Sequence, residues 1–344
     1  MRISANQITL SRIVLLPFPL FLLYGDTEAR VASLLLLAAL GLTDYLDGLI
    51  ARREGSTPLG RLLDPIADKI FIAVTFIPLV DLNILPLWII WPIFLREFLV
   101  TEMRRFARPD SKGLKVTELA KLKTTLQMVG VGLIILTDTF PDRVVTISFL
   151  AGLLLSTMFL AVTLYCLNGR ITPRVRTALL FEVVGLSLAL ILSSQTLILV
   201  YGLIILGITL LSGYQYAAAA LPGLLQAGLK AVGSLTLSVA PPLMALVLLP
   251  TAGTGEKLWV ALILAVEFAV QGLDMWAGSQ GRMDISMLKR MVLAPIVLLF
   301  MSGGLLGFLD VSMVLRGYAA LMSLYLFLDI YLHRALFLGR EGGK

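Results

Sequence analysis

Long apolar runs recur along the chain near residues 8–24, 29–46, 66–80, 84–101, 120–137, 145–166, 177–193, 196–217, 228–249, 258–276, 288–306 and 314–332. Each is close to the length that an α-helix needs to cross the hydrocarbon core of a bilayer, about 20 residues. The pattern predicts an all-α polytopic membrane protein of about twelve transmembrane helices. Its shallowest division falls at Ser193, Ser194 and Gln195, where the apolar signal barely pauses.

Composition agrees with the pattern. With 58% hydrophobic and only 15% charged residues, the chain lacks the polar side chains to cover a soluble surface of its size. Glycine and proline do not oppose this reading, since membrane helices tolerate both where neighbours satisfy the backbone. The first apolar run is read as a span and not as a cleavable signal, because it contains proline and is followed by Asp26 and Glu28. A single cysteine, Cys166, excludes disulfides and thiolate metal sites and predicts a buried packing role.

The net charge of +6 is explained by topology. With the N-terminus and every second loop placed in the cytoplasm, Arg52, Arg53, Arg61, Arg104, Arg105, Arg108, Lys112, Lys115, Lys121 and Lys123 share one side. The opposite loops hold little more than Arg30, Arg143, Lys257 and Arg316, together with Asp26, Asp81, Asp138, Asp142 and Asp310. Both termini are then expected inside, and no nucleic-acid partner is needed to account for the charge.

Chemistry concentrates in one stretch, DYLDGLIARREGSTPLGRLLDPIADK, from Asp44 to Lys69. Asp44 and Asp47 share one face of a helix, as do Asp64 and Asp68, and a short return of the chain would bring all four together at the cytoplasmic face. Such carboxylates suit Mg²⁺ or Mn²⁺, and four of them are enough for two ions. Gly48, Ala51 and Gly60 would let a ligand approach the backbone, and Arg52 supplies charge for a pyrophosphate. The alternative is a buried ion network with Arg52, Arg61 and Lys69 as counter-charges. Elsewhere, Arg12 reads either as snorkelling to the interface or as binding a phosphate or a structural partner. Arg96 and Glu97, being adjacent, are expected on different sides of their helix. Lys121 and Lys123 precede Thr124, Thr125 and Gln127, polar groups deep enough to line a cavity. His333 is read as an interfacial residue.

The stretch resembles the signature of the CDP-alcohol phosphatidyltransferase family: Asp, two residues, Asp-Gly, two residues, Ala-Arg, a spacer, Gly, three residues, Asp, three residues, Asp. Every fixed position is present, with a spacer from Arg52 to Gly60 one residue shorter than is common. NQITLSRIVLLPF, LREFLVTEMRR and AKLKTTLQ are similar to segments of the family branch that uses glycerol 3-phosphate, so the likeness covers residues 1–168. It implies a six-helix catalytic core at 1–170, with 171–344 as an additional membrane domain of about six helices. It further implies that Asp44, Asp47, Asp64 and Asp68 bind Mg²⁺ or Mn²⁺, two ions in all, with Asp68 also the general base. Asp44, Gly48, Ala51, Arg52 and Gly60 would surround the CDP moiety, and Arg96, Lys121 and Lys123 would hold the acceptor's phosphate. The expected partners are CDP-diacylglycerol, a small polar alcohol and membrane lipids; a homodimer is also implied, unless the extra helices occupy that surface. The expected place is the bacterial inner (cytoplasmic) membrane. Other acceptors (inositol phosphate, serine, an aminoalcohol) stay open, as does a transporter or lipid-handling protein with a vestigial core. The recurrence of Thr9–Ser11 as Thr236–Ser238, with Asp47 falling on Asp274 at the same offset, raises a degenerate repeat in the second half.

Overall fold

The computed structural model describes residues 5–54, 58–106, 118–168, 173–253, 256–279 and 289–332, and within these it contains helices and no strand. The helices are α1 (Ala5–Leu15), α2 (Pro17–Leu23), α3 (Thr27–Glu54), α4 (Pro58–Asp81), α5 (Leu87–Met103), α6 (Glu118–Thr139), α7 (Arg143–Asn168), α8 (Pro173–Ile191), α9 (Ser194–Leu248), α10 (Lys257–Ser279), α11 (Ala294–Leu305) and α12 (Val311–Leu332). A short 3₁₀ turn, Arg104–Phe106, extends α5, and a π turn, Lys289–Leu293, leads into α11.

Among the described residues the apolar runs fall on helices, the first of them on two, α1 and α2. The shallow division at Ser193 is real, and its cause is local: Ser193 is extended, and its hydroxyl accepts the Thr196 amide at 3.3 Å, an N-cap that starts α9 afresh. Two runs share α9, which changes direction at Gly228, where φ is 77° and ψ is −173°. A left-handed φ of this kind suits glycine.

This is an integral membrane protein. By length and composition, Arg143–Thr163, Ser194–Thr251, Lys257–Met275 and Val311–Leu332 can each cross a bilayer, and Gln7–Leu23, Ala178–Ile191 and Met291–Leu305 are shorter apolar helices. Leu155, Phe159 and Val162 of α7 lie exposed along one side, a surface suited to lipid. Cys166 belongs to the same exposed helix, which corrects the expectation of a buried packing role.

Lipid tails are as apolar as leucine, so helices gain little hydrophobic drive from meeting; small side chains, close packing and polar pairs decide which faces join. One face of α9, bearing Gly202, Ile205, Thr209, Ser212, Gly213, Tyr216, Ala220 and Leu224, is buried at spacings of three and four, and α9 packs on α5 and α6. α10 lies between α4 and α12, with Phe268 stacked on Phe98 at 4.1 Å between ring centroids. Arg30 of α3 pairs with Asp138 of α6 at 2.8 Å, and Lys257 of α10 pairs with Asp81 of α4. All four belong to the face opposite the Asp44–Lys69 stretch in the charge pattern, and the fold brings them together in pairs.

Further along α9, a Cβ on Gly223 would overlap the backbone carbonyl of Phe106. Backbone cannot rotate aside as a side chain can, so Gly223→Ala must push α9 off the end of α5. The expected cost is about 1–3 kcal/mol, measured as a lower thermal unfolding midpoint in detergent.

Candidate active site

The second half of the aspartate stretch lies on α4, which begins at Pro58, a residue suited to a first helical turn. Asp64 and Asp68 stand one turn apart on this helix. Asp64 is exposed and accepts a hydrogen bond from the Thr9 hydroxyl of α1 at 3.2 Å. Asp68 is half-buried and opens on a small cavity that it lines with Phe71, Ile72 and Phe76 from α4, and Thr124, Gln127 and Met128 from α6. Gly60 is half-buried on the first turn of α4. Three helices therefore meet around the two carboxylates.

Asp44, Asp47, Gly48, Ala51 and Arg52 lie on the continuous helical backbone of α3, and Lys121 on that of α6; the surroundings of these six fall outside the described residues. Among the described residues, no group of three carboxylate, histidine or cysteine side chains is placed to hold an ion. His333 also falls outside them. Asp64 and Asp68 present only oxygen, the donor that Mg²⁺ and Mn²⁺ prefer, and so fit a share of such a site.

Two of the three candidate acceptor residues, Arg96 and Lys123, belong to a second cluster, where side chains of α5 and α6 meet. Arg96 and Glu97 are both buried, at 7% and 4% exposure. Arg96 donates through Nη1 to the two Glu97 oxygens at 3.1 and 3.2 Å, while Lys123 Nζ reaches Glu97 Oε1 at 2.5 Å. The expectation that neighbours in sequence must face different sides is corrected: the flexible arginine stem folds back to its neighbour, because neither charge can be left alone in an apolar bundle. Lys123 is also within electrostatic reach of Asp68, which links this cluster to the cavity. Lys69 donates to Thr101 Oγ1 at 2.6 Å, and Thr101 to the Glu97 carbonyl at 2.7 Å, so the lysine next to Asp68 is tied to the same turn of α5. Arg12 of α1 is buried, which excludes snorkelling to the interface.

Two contacts come from beyond the predicted core. Arg96 Nη2 donates to Ser212 Oγ at 2.9 Å, and Gln127 Nε2 to Thr209 Oγ1 at 3.2 Å. Neither α9 hydroxyl stood out in the sequence, although Thr209, Ser212, Gly213 and Tyr216 recur at helical spacing in an apolar run, the mark of a packed membrane-helix face.

Glu97 serves two buried cations, so removing it strands both. Glu97→Ala is expected to destabilise the protein by about 3–5 kcal/mol, and Glu97→Gln by less, because the amide oxygen still accepts. Thermal unfolding of the purified protein in detergent, compared across the pair, measures the difference.

The family model for CDP-alcohol phosphatidyltransferases matches residues 2–214. A Mycobacterium tuberculosis protein named probable phosphatidylglycerophosphate synthase is 38% identical over 168 residues, 46% of this chain and 78% of that one. Proteins named CDP-diacylglycerol–glycerol-3-phosphate 3-phosphatidyltransferase are 36% identical over 136 residues in Rickettsia typhi (38% of this chain, 75% of that one) and 32% identical over 158 residues in Bacillus subtilis (42% and 81%). No solved structure matches the chain. The matched residues include the whole aspartate stretch on α3 and α4 and the Arg96–Glu97–Lys123 cluster, and the chain belongs to the CDP-alcohol phosphatidyltransferase family, as an enzyme of that class.

Proposed function

We propose that this enzyme transfers the phosphatidyl group of CDP-diacylglycerol to glycerol 3-phosphate, releasing CMP, with Mg²⁺ or Mn²⁺ held by Asp44, Asp47, Asp64 and Asp68. The observation that carries the reading is the placement of Asp68: one turn from Asp64, open to a cavity, and within electrostatic reach of Lys123. The connection from Glu54 to Pro58 is short, and α3 and α4 both pack on α1 and α2. Asp47 lies about two turns before the end of α3, and Asp64 just under two turns after the start of α4. Asp44 and Asp68 are each about one turn further from the connection along their helices. An oxygen cluster of this size suits a pair of divalent ions, which when bound would neutralise the donor's pyrophosphate.

The chain's own residues supply the rest. Gly48, Ala51 and Gly60 leave room for the CDP moiety against the two helices, with Asp44 and Arg52 contacting it. Arg96, Lys121 and Lys123 hold the acceptor's phosphate, which directs its hydroxyl toward Asp68. Asp68 takes the hydroxyl proton as the acceptor oxygen bonds to the lipid-bearing phosphorus and the pyrophosphate bond to CMP breaks. A free aspartate, with a pKa near 4, is a weak base, so its contribution lies in proximity. The catalytic residues lie within residues 1–170, 171–344 forms an additional membrane domain, and the site faces the cytoplasm of a bacterial inner membrane, where water-soluble CTP and glycerol 3-phosphate are available. The names of the relatives favour glycerol 3-phosphate over the other acceptors.

With purified protein, CDP-diacylglycerol and Mg²⁺, CMP release is expected to be fastest with glycerol 3-phosphate in a panel that includes inositol phosphate and serine. Asp68→Asn is expected to lower the rate by about 10²–10⁴-fold and Asp64→Ala to abolish it, with the thermal midpoint preserved. Undiminished turnover in both variants would sink the assignment.

A further inference from the structure

We propose that α9, which follows the catalytic residues in the chain, completes the acceptor side of the site, with Ser212, Tyr216 and Thr209 as positioning residues for Arg96 and Gln127. The inference rests on the reading that Arg96 helps to hold the acceptor's phosphate.

An arginine side chain has about 2 kcal/mol of rotamer entropy to lose when it is held in one geometry. Arg96 is held from several directions. Glu97 takes Nη1, Ser212 takes Nη2 at 2.9 Å, and the guanidinium carbon lies 5.7 Å from the Tyr216 ring centroid. Tyr216 also carries Arg104, whose guanidinium carbon is 5.2 Å from the same centroid, so one aromatic ring serves two arginines. The stem of Arg96 runs in a slot left by Gly213: a Cβ there would stand 2.7 Å from Arg96 Cγ. Thr209, Ser212, Gly213 and Tyr216 occupy positions i, i+3, i+4 and i+7, one face of α9 turned to this residue and its neighbours.

The same face reaches the other wall of the site. Thr209 accepts from Gln127, and Gln127 lines the cavity into which Asp68 opens. α9 thus holds the guanidinium on α5 and an amide on α6 from positions one turn apart. Each retains unmet hydrogen-bonding capacity. Arg96 Nε and Gln127 Oε1 are buried without a hydrogen-bond partner among the described residues, one a donor and the other an acceptor. A buried polar atom left in this state is costly. A phosphorylated polyol carries both complementary groups, phosphate oxygens for a guanidinium N–H and hydroxyls for an amide oxygen. Gly130 of α6, whose Cβ would meet Ile205 Cδ1 at 2.8 Å, brings α9 close enough for these short polar side chains to reach.

The test uses the full-length protein in detergent with Mg²⁺, reading CMP release while glycerol 3-phosphate and CDP-diacylglycerol are varied separately. Ser212→Ala is expected to raise the KM for glycerol 3-phosphate about tenfold, equivalent to about 1.4 kcal/mol. The KM for CDP-diacylglycerol should not move, the thermal midpoint should fall less than in Glu97→Ala, and the preference for glycerol 3-phosphate over glycerol should drop by a similar factor. Thr209→Val, nearly isosteric, is expected to raise the same KM about threefold through Gln127. An unchanged acceptor KM in Ser212→Ala, or equal loss for both substrates with a lower midpoint, overturns the proposal. Arg96→Lys distinguishes the role of Arg96 from that of α9, since it keeps the charge and loses the fork. If it raises the acceptor KM while Ser212→Ala does not, the role of α9 is wrong and the acceptor site stands. If neither does, Arg96 is not an acceptor residue.

Discussion

A carboxylate buried in a membrane bundle needs a partner, and Glu97 is the place where that requirement shapes the most structure. Its oxygens accept from Arg96 on the same helix and from Lys123 on α6, so α5 and α6 are joined by charge at the depth of the site. Arg96 in turn recruits Ser212 of α9, and Lys123 lies within electrostatic reach of Asp68. Removal of one anion would leave two cations in a medium that cannot solvate them. The cluster therefore acts as a structural brace that ties α5 to α6 and, through Ser212, to α9.

This requirement also explains why the second half is interwoven with the first instead of standing apart. α9 meets α5 and α6 through small and hydroxyl residues, and α10 meets α4 through Phe268, over which Lys69 Nζ sits at 5.3 Å from the ring centroid. In lipid there is no general hydrophobic reward for that contact, so specific polar and close-packed pairs must supply it. The helices that carry Asp64, Asp68, Arg96 and Lys123 are each supported by later parts of the chain or by α1. Thr9 of α1 reaches Asp64 across 55 residues of sequence, and Ser212 reaches Arg96 across 116.

The sequence made the helices legible because lipid imposes a length and a polarity on each span, and that constraint is local. Even the faint pause at Ser193 proved to be a capped helix start. The aspartate stretch was legible for a similar reason, since spacings of three and four within one helix carry their geometry with them; α4 does set Asp64 and Asp68 one turn apart. What local pattern could not supply was pairing across the chain. Arg96 and Glu97 looked as if they should diverge, and only the presence of Lys123 and Ser212 explains why both are buried. Cys166 looked buried because its surroundings were apolar, but in a bilayer an apolar run is equally suited to facing out.

The second half obeys the same rule and reaches a different chemical result. Glu267 of α10 is buried, and both of its oxygens are used, one by Lys289 and the other by the Tyr318 hydroxyl at 2.6 Å. This carboxylate closes a contact among α10, the π turn before α11, and α12, and has no oxygen uncommitted. Under the repeat register that sets Asp47 on Asp274, the positions matching Asp44, Asp64 and Asp68 are Gln271, Met291 and Pro295, so one carboxylate remains where the first half has four. One carboxylate beside an amide is a poor match for two divalent ions, whose charge calls for several anionic oxygens. Charge thus distinguishes the halves: the first concentrates four aspartates in one stretch of sequence, while the second balances its buried Glu267 internally and contributes neutral hydroxyls to its neighbour.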